Sequence, residues 1–326
     1  MLVSKTPYRV SLFGGGTDFP EYFKNKKSII VGGAINKYVY ISLNSQVSDI
    51  TKKKVKIFSK NVELINNVKL IKHKVIREAL KNYKIKKDIE LHIASDLPSF
   101  TGLGSSSAFS VGLLNLLSSF KKKKLSKKIL ATKAINFERK ILKETVGYQD
   151  QIHSSFGGFN IIKIYKNKFL VKNISNNLNL NKIEKNLILV FTGITRKADS
   201  IEKRKIKRFN FNKKYLDRIN NISIKAIKFL NLKSHKNLDY IGHLLNESWQ
   251  IKKKLNHNVS NKKIDYIYNL AIKNGAIGGK LLGAGSGGFL LFYVKSSKLK
   301  KFLVALKKFP IVNFKFTNFG SRIISI

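Results

Sequence analysis

The chain of 326 residues has no cysteine, one methionine, one tryptophan and four prolines. Without thiols it can form no disulfide, no thiolate metal site and no cysteine nucleophile, which suits a reducing compartment. Acidic residues are scarce too: 18 Asp and Glu stand against 64 Lys and Arg, a formal net charge of +46. Long apolar runs are also missing. The longest, such as GGFLLFYV, fall far short of the roughly 18 residues that a membrane span needs. The opening MLVSKTPYRV has no basic segment followed by an apolar signal core. The expectation is a soluble, cytoplasmic protein with no membrane partner.

What is present is ample core material. A hydrophobic content of 43% over this length supports one large domain or two ordinary ones. The charge by itself points to nucleic acid or an anionic membrane. The lysines, however, are spread along the whole chain with only short runs such as KKKKLSKK at 121–128, and they alternate with abundant Asn and Ile. They read as solvated faces, with nonspecific polyanion affinity as a side effect and no specific nucleic acid partner.

Strand-like runs with glycine turns come first: YRVSLFGGGTDF, SIIVGGAINKYVYISLN and DIELHIASDLP. SSAFSVGLLNLLSSF and SKKILATKAINFERKILKE then carry apolar residues at helical spacing, and a strand pair follows in GGFNIIKIYKNKFLVKN. The Asn-rich NISNNLNLNKIEKN divides the chain into 1–182 and 183–326. Beyond it lie LILVFTGITRKADS, a strand running into a turn and a helix, three further helical patterns between about Lys213 and Lys273, a glycine-rich meander, a helix near 297–307 and two short strands. This is a mixed α+β pattern in two parts, without internal repeats. The six histidines show no metal-ligand spacing, and Trp249 reads as core.

The chemistry concentrates in PSFTGLGSSSAFS, residues 98–110. Gly102 and Gly104 permit a tight turn, and Ser105, Ser106 and Ser107 can cap the helix that follows. Such a helix start can seat a phosphate on backbone N–H groups without any lysine. The stretch is neither a Walker A loop nor a G-x-G-x-x-G motif, and its serines lack the G-x-S-x-G context of a hydrolase. Phosphoryl transfer also needs carboxylates, to hold a metal and to orient or deprotonate the attacking hydroxyl. In so carboxylate-poor a chain three stand out: Asp18 in FGGGTDFP, Glu138 in ATKAINFERKI and Asp150 in VGYQDQIHSSFGGFN. Each also has a plain reading, as a turn residue, a solvated helix face paired with Arg139, and a helix N-terminal acid.

Three glycine segments, taken in order, resemble the GHMP superfamily of small-molecule kinases: PYRVSLFGGGTDF from Pro7, PSFTGLGSSSA from Pro98, and KLLGAGSGGF from Lys280. The resemblance spans nearly the whole chain. It implies a two-domain fold, with an N-terminal domain like domain 2 of ribosomal protein S5 and a ferredoxin-like C-terminal domain. It implies ATP and Mg²⁺, with Pro98, Gly102, Leu103, Gly104, Ser105, Ser106 and Ser107 around the phosphates and Ser106 and Glu138 on the metal. Asp150 takes the place of the base and Arg9 that of the cation beside it. Gly15, Gly16, Thr17, Asp18, Gly283, Gly285 and Ser286 would contact substrate. Galactokinases of the family carry Glu-His where this chain has Gly15 and Gly16, so galactose is not expected. The first segment, GYQDQIHSSFGGFN and FTGITRKADSI look most like the family's glycero-manno-heptose 7-phosphate kinases, which phosphorylate the anomeric hydroxyl to a 1,7-bisphosphate. In that setting Arg196 would help receive the substrate phosphate. A kinase for another sugar such as fucose stays open, as does, in another class, a basic polyanion-binding protein on the same fold.

Overall fold

The computed structural model describes residues 1–46, 54–195, 209–232, 237–255 and 257–325. In chain order the elements are β1 (Leu2–Phe13), α1 (Pro20–Phe23), β2 (Ser28–Ser45), β3 (Val55–Phe58), β4 (Val62–Ile65), α2 (Lys74–Asn82) and β5 (Ile89–Ser95). Next come α3 (Ser105–Phe120), α4 (Lys127–Asn136), α5 (Gln149–Phe156), β6 (Phe159–Tyr165), β7 (Lys168–Asn173) and α6 (Leu180–Lys185). The rest is β8 (Leu187–Phe191), α7 (Phe209–Leu230), α8 (Asp239–Leu255), α9 (Lys262–Lys273), β9 (Ala276–Leu281), β10 (Phe289–Val294), α10 (Leu299–Ala305), β11 (Ile311–Val312) and β12 (Arg322–Ser325).

These strands build two sheets. The first runs β12-β1-β2-β5-β3-β4, with β6 and β7 added to β2. Long β2 organises it: its first half pairs with β6, its second half with β5, and β1 lies antiparallel along both. Of the pairs in this sheet only β3 with β5 is parallel. The second sheet, β11-β8-β10-β9, is antiparallel throughout. The last strand, β12, crosses back to the first sheet and pairs with β1, Leu2 opposite Ser325.

The α+β expectation holds, and the helical patterns read from the sequence correspond to α3, α4 and α7 to α10, while the helix expected at the end of LILVFTGITRKADS lies outside the described residues. The sequence reading passed over α2 and the β3–β4 hairpin. Both strands of that hairpin have only four residues, too few for a period to register. One continuous apolar core joins β1, β2, α3 and α7, so the two sheets share an interior. A second core forms around Trp249, Phe292 and Phe302, where Trp249 is fully buried as expected. Among the described residues no helix is long and apolar enough to cross a membrane.

Candidate active site

A cavity opens where the turn after β1, the 98–107 loop, the start of α5, helices α7 and α8, and the glycine turn after β9 converge. Arg9 on β1 ties these parts together. Its backbone N–H donates to Leu103 O at 3.0 Å. Its guanidinium forks onto Asp150, Nε to Oδ1 at 2.8 Å and Nη2 to Oδ2 at 2.7 Å, while Nη1 donates to Gly102 O at 2.6 Å. A planar, bidentate fork of this kind fixes a carboxylate in direction as well as charge. Gly104 leaves the pair room. It sits at φ +74°, and a Cβ there would stand 3.2 Å from Arg9 Cγ and 3.3 Å from Asp150 Oδ2.

The loop differs from expectation in one respect. Gly104 occupies the cap position of α3, and no side chain caps the helix. The Ser105 hydroxyl instead accepts from the N–H of Phe100 at 3.2 Å. The first-turn N–H groups are therefore left to a ligand, at the positive end of the helix dipole. Behind the loop the third glycine segment packs backbone to backbone: a Cβ on Gly283 would lie 2.6 Å from Gly102 Cα, and one on Gly288 2.3 Å from Thr101 O.

Glu138 is not a solvated helix residue. It lies on a π-helical turn, Phe137–Ile141, that prolongs α4, and it is fully buried behind Ser107. Such turns are rare and often mark functional sites. Its Oε2 accepts from Ser107 Oγ at 2.9 Å and from the Gln151 amide. Burial raises its pKa from 4.5 to about 7, outweighing the pull of the Ser110, Gln151 and Ser107 side chains in the other direction. Ser107, and not Ser106, makes the hydrogen bond to this carboxylate, while exposed Ser106 lines the cavity.

Asp18 is buried at the turn after β1, its Oδ1 accepting from Gly16 N at 3.0 Å and its Oδ2 from Gln149 N at 3.1 Å. Gly15, Gly16, Gly283 and Gly285 line the cavity beside it. Thr17, by contrast, is turned inward, its hydroxyl bonded to Gly14 O at 2.8 Å and to Ser28 Oγ at 2.7 Å. Ser286 likewise bonds Asn258 O and Val259 O and shapes its turn from behind. Pro98 opens the loop, and buried Leu103 anchors it to β1. Arg196 lies outside the described residues. Sequence reasoning missed Gln149, Lys252 and Lys280, all on the cavity wall. Lys280 opens the third glycine segment. Lys252 shares a helix face with Ser248 and Leu255, four residues before it and three after, which the surrounding lysines disguised. His153, one turn after Asp150, is fully buried, and burial and the charge of Arg9 hold its pKa near about 3, so the imidazole stays neutral.

The chain is similar to known proteins over nearly its whole length. Residues 69–158 match the GHMP kinases N terminal domain, and residues 226–311 match the GHMP kinases C terminal family. Over 335 aligned residues the chain is 31% identical to D-glycero-alpha-D-manno-heptose 7-phosphate kinase of Campylobacter jejuni, covering 98% of this chain and 97% of that one. Its fold superimposes with a TM-score of 0.79 on a D-glycero-D-manno-heptose 1-phosphate kinase from Bacteriodes thetaiotaomicron, at 22% identity over 100% of this chain and 99% of the other. With the mevalonate kinase of Methanococcus jannaschii the TM-score is 0.75 at 22% identity, over 97% of this chain and 98% of that one. The chain belongs to the GHMP kinase family of ATP-dependent phosphotransferases.

Proposed function

We propose that the protein transfers the γ-phosphoryl group of ATP to the anomeric hydroxyl of D-glycero-D-manno-heptose 7-phosphate, giving the 1,7-bisphosphate. The bidentate Arg9–Asp150 pair, set between the substrate turn and the glycine loop, carries the reading. It is supported by the full-length similarity to the Campylobacter heptose 7-phosphate kinase and by the two glycines at positions 15 and 16. In this reading residues 1–182 hold the nucleotide and 183–326 close over the acceptor.

The chemistry follows from the side chains present. An ionised carboxylate offers about four lone-pair directions, so Asp150 can hold Arg9 and still accept a hydrogen bond from the acceptor hydroxyl. In a loose phosphoryl-transfer transition state the proton leaves late, and positioning the oxygen in line is the larger task. Asp150 aims that oxygen and takes its proton as the new O–P bond forms. Arg9 holds Asp150 in place and spreads positive charge toward the transferred group. The N–H groups of the α3 start and of the glycine loop receive the phosphate oxygens. Asp18 and Gln149 turn the sugar toward Asp150.

The residues present also fit Mg²⁺. Glu138 Oε1 is buried without a hydrogen-bond partner, and the Ser107 hydroxyl of the first α3 turn bonds the other oxygen, Oε2. Among the described residues no cluster of three acidic or histidine side chains exists, but a magnesium ion carried on nucleotide phosphates needs only one or two protein carboxylates. Glu138 with Ser106 or Ser107 would hold it, and when bound it neutralises charge on the β- and γ-phosphates.

The test is ADP release with Mg-ATP against heptose 7-phosphate, mannose 6-phosphate, fucose, galactose, mevalonate and homoserine. Turnover concentrated on heptose 7-phosphate is expected. Turnover of fucose would leave the kinase and overturn this acceptor, and no turnover together with tight, salt-sensitive RNA binding would overturn the reading altogether.

A further inference from the structure

Ser11 on β1 and Gln149 at the start of α5 both line the cavity, where they are 6% and 9% exposed. Each keeps one polar atom that the protein does not use: Ser11 Oγ and Gln149 Oε1 are buried with no hydrogen-bond partner within the chain. The rest of Gln149 is engaged. Its backbone N–H donates to Asp18 Oδ2 at 3.1 Å and its Nε2 to Asp18 Oδ1 at 3.4 Å. A carboxylate only accepts, so Asp18 takes the NH₂ side of the amide and leaves the carbonyl side over. Buried polar atoms without partners cost stability, and folded proteins keep few of them.

Gly15 brings the two atoms to one place. It is the half-buried residue of the turn after β1, and its φ lies outside the left-handed region. A Cβ built on it would stand 3.4 Å from Ser11 Oγ, 3.6 Å from Gln149 Nε2 and 3.9 Å from Gln149 Oε1, the three nearest atoms apart from its chain neighbours. The space beside Gly15 thus holds one heavy atom in ordinary contact, walled by a hydroxyl and an amide. Ser11 lies two residues past Arg9 on the same face of β1, and Gln149 immediately precedes Asp150. The nucleotide loop meets the Arg9–Asp150 pair through Gly104, whose Cβ would touch Arg9 Cγ, Arg9 Nε and Asp150 Oδ2. None of the three atoms around the Gly15 niche belongs to that loop.

The chemistry of the niche selects its occupant. An amide oxygen accepts and never donates, while a serine hydroxyl does both. A group that donates to Gln149 Oε1 and exchanges a hydrogen bond with Ser11 Oγ is a hydroxyl, whereas a fully ionised phosphate has no proton for Oε1. We infer that Ser11 Oγ, Gln149 Oε1 and the bare Cα of Gly15 receive one acceptor hydroxyl other than the one Asp150 aims, so that these residues discriminate among sugars at that position. The inference rests on the sugar-kinase reading above and not on heptose 7-phosphate being the particular sugar.

The experiment compares wild type with Ser11→Ala, Gln149→Met and Gly15→Ala. The acceptors are the best sugar of the panel and its monodeoxy analogues, each lacking one non-anomeric hydroxyl. In wild type one analogue should lose about 10- to 100-fold in kcat/KM, since its binding leaves two buried polar atoms unpaired. Ser11→Ala and Gln149→Met should weaken the parent sugar and shrink the penalty of that same analogue. Gly15→Ala fills the niche and should cost the parent sugar at least about tenfold in kcat/KM, with KM for ATP held within about threefold. Urea unfolding should find Ser11→Ala and Gly15→Ala at least as stable as wild type, because one loses an unpaired hydroxyl and the other restricts only the unfolded chain. Equal losses on the parent sugar and every analogue, an unchanged deoxy penalty in Ser11→Ala, full activity in Gly15→Ala or a raised KM for ATP would each overturn the inference. A best sugar other than heptose 7-phosphate removes the proposed acceptor while its analogues still read the niche. Heptose 7-phosphate turned over well with no analogue penalised removes the niche alone, and no sugar turned over removes both.

Discussion

Replacing Glu138 by Gln should make the nucleotide-free protein more stable and the enzyme inactive. The folded-state pKa of Glu138 lies above its ordinary value, 4.5 raised to about 7 by burial. The folded state therefore binds this proton more tightly than the unfolded chain, and stability falls as pH rises through that window. At about 1.36 kcal/mol per pH unit, an interval of about 2.5 units makes ionised Glu138 cost about 3 kcal/mol above pH 7. Gln keeps the shape and an acceptor oxygen for Ser107 while removing the charge. Urea unfolding in EDTA should find Glu138→Gln more stable than wild type by up to about 3 kcal/mol at pH 8, and nearly equal to it at pH 4.5. With Mg-ATP and acceptor present, kcat should fall at least about 100-fold. A stability difference that is the same at both pH values, or a variant less stable at pH 8, would refute the claim that buried charge at Glu138 is held for function against stability.

Asp150→Asn should lower kcat by about 10²- to 10⁴-fold with KM for ATP unchanged, and steady-state kinetics with unimpaired turnover would remove Asp150 from the mechanism. Arg9→Lys keeps the charge but loses the fork, so kcat should drop by at least about tenfold, and Asp150→Asn added to it should cost less than the product of the two, as a double-mutant cycle would read. Gly283→Ala should destabilise by about 2 kcal/mol or more in urea, because φ is +70° there and the new methyl meets the Gly102 backbone. At pH 7, where Glu138 is about half protonated, binding of Mg-ATP should release about half a proton, measurable by calorimetry in buffers of different ionisation enthalpy.

The residues that bring Arg9, Asp150 and the glycine loop together were legible because each demands something local. The loop needs positive φ at Gly102 and Gly104, and the carboxylates stand out in a chain with few. Lys252 was not legible, since one lysine in QIKKKL looks like its neighbours until the α8 face is known. Ser107 could not be told from Ser106 by type, because only the helical phase of α3 turns one toward Glu138 and the other to solvent. The inward turn of Thr17 depends on Ser28, which lies on another strand. The return of β12 to β1 carries no local signal at all, since a pairing between residues at opposite ends of a chain leaves no period in either.

That return strand sets a schedule for making the protein. β1, with Arg9 on it, is synthesised long before its outer neighbour β12, which follows every residue of the cavity wall along the chain. Ser321, just before β12, also bonds Thr6 at 2.8 Å and Asn115 at 3.1 Å, so the late segment is tacked onto both β1 and α3. Until it arrives, β1 presents an unpaired strand edge to whatever lies nearby, a template for strand addition by other nascent chains. A message truncated just before β12 would thus encode every residue of the cavity wall and still yield a polypeptide prone to aggregate on the ribosome.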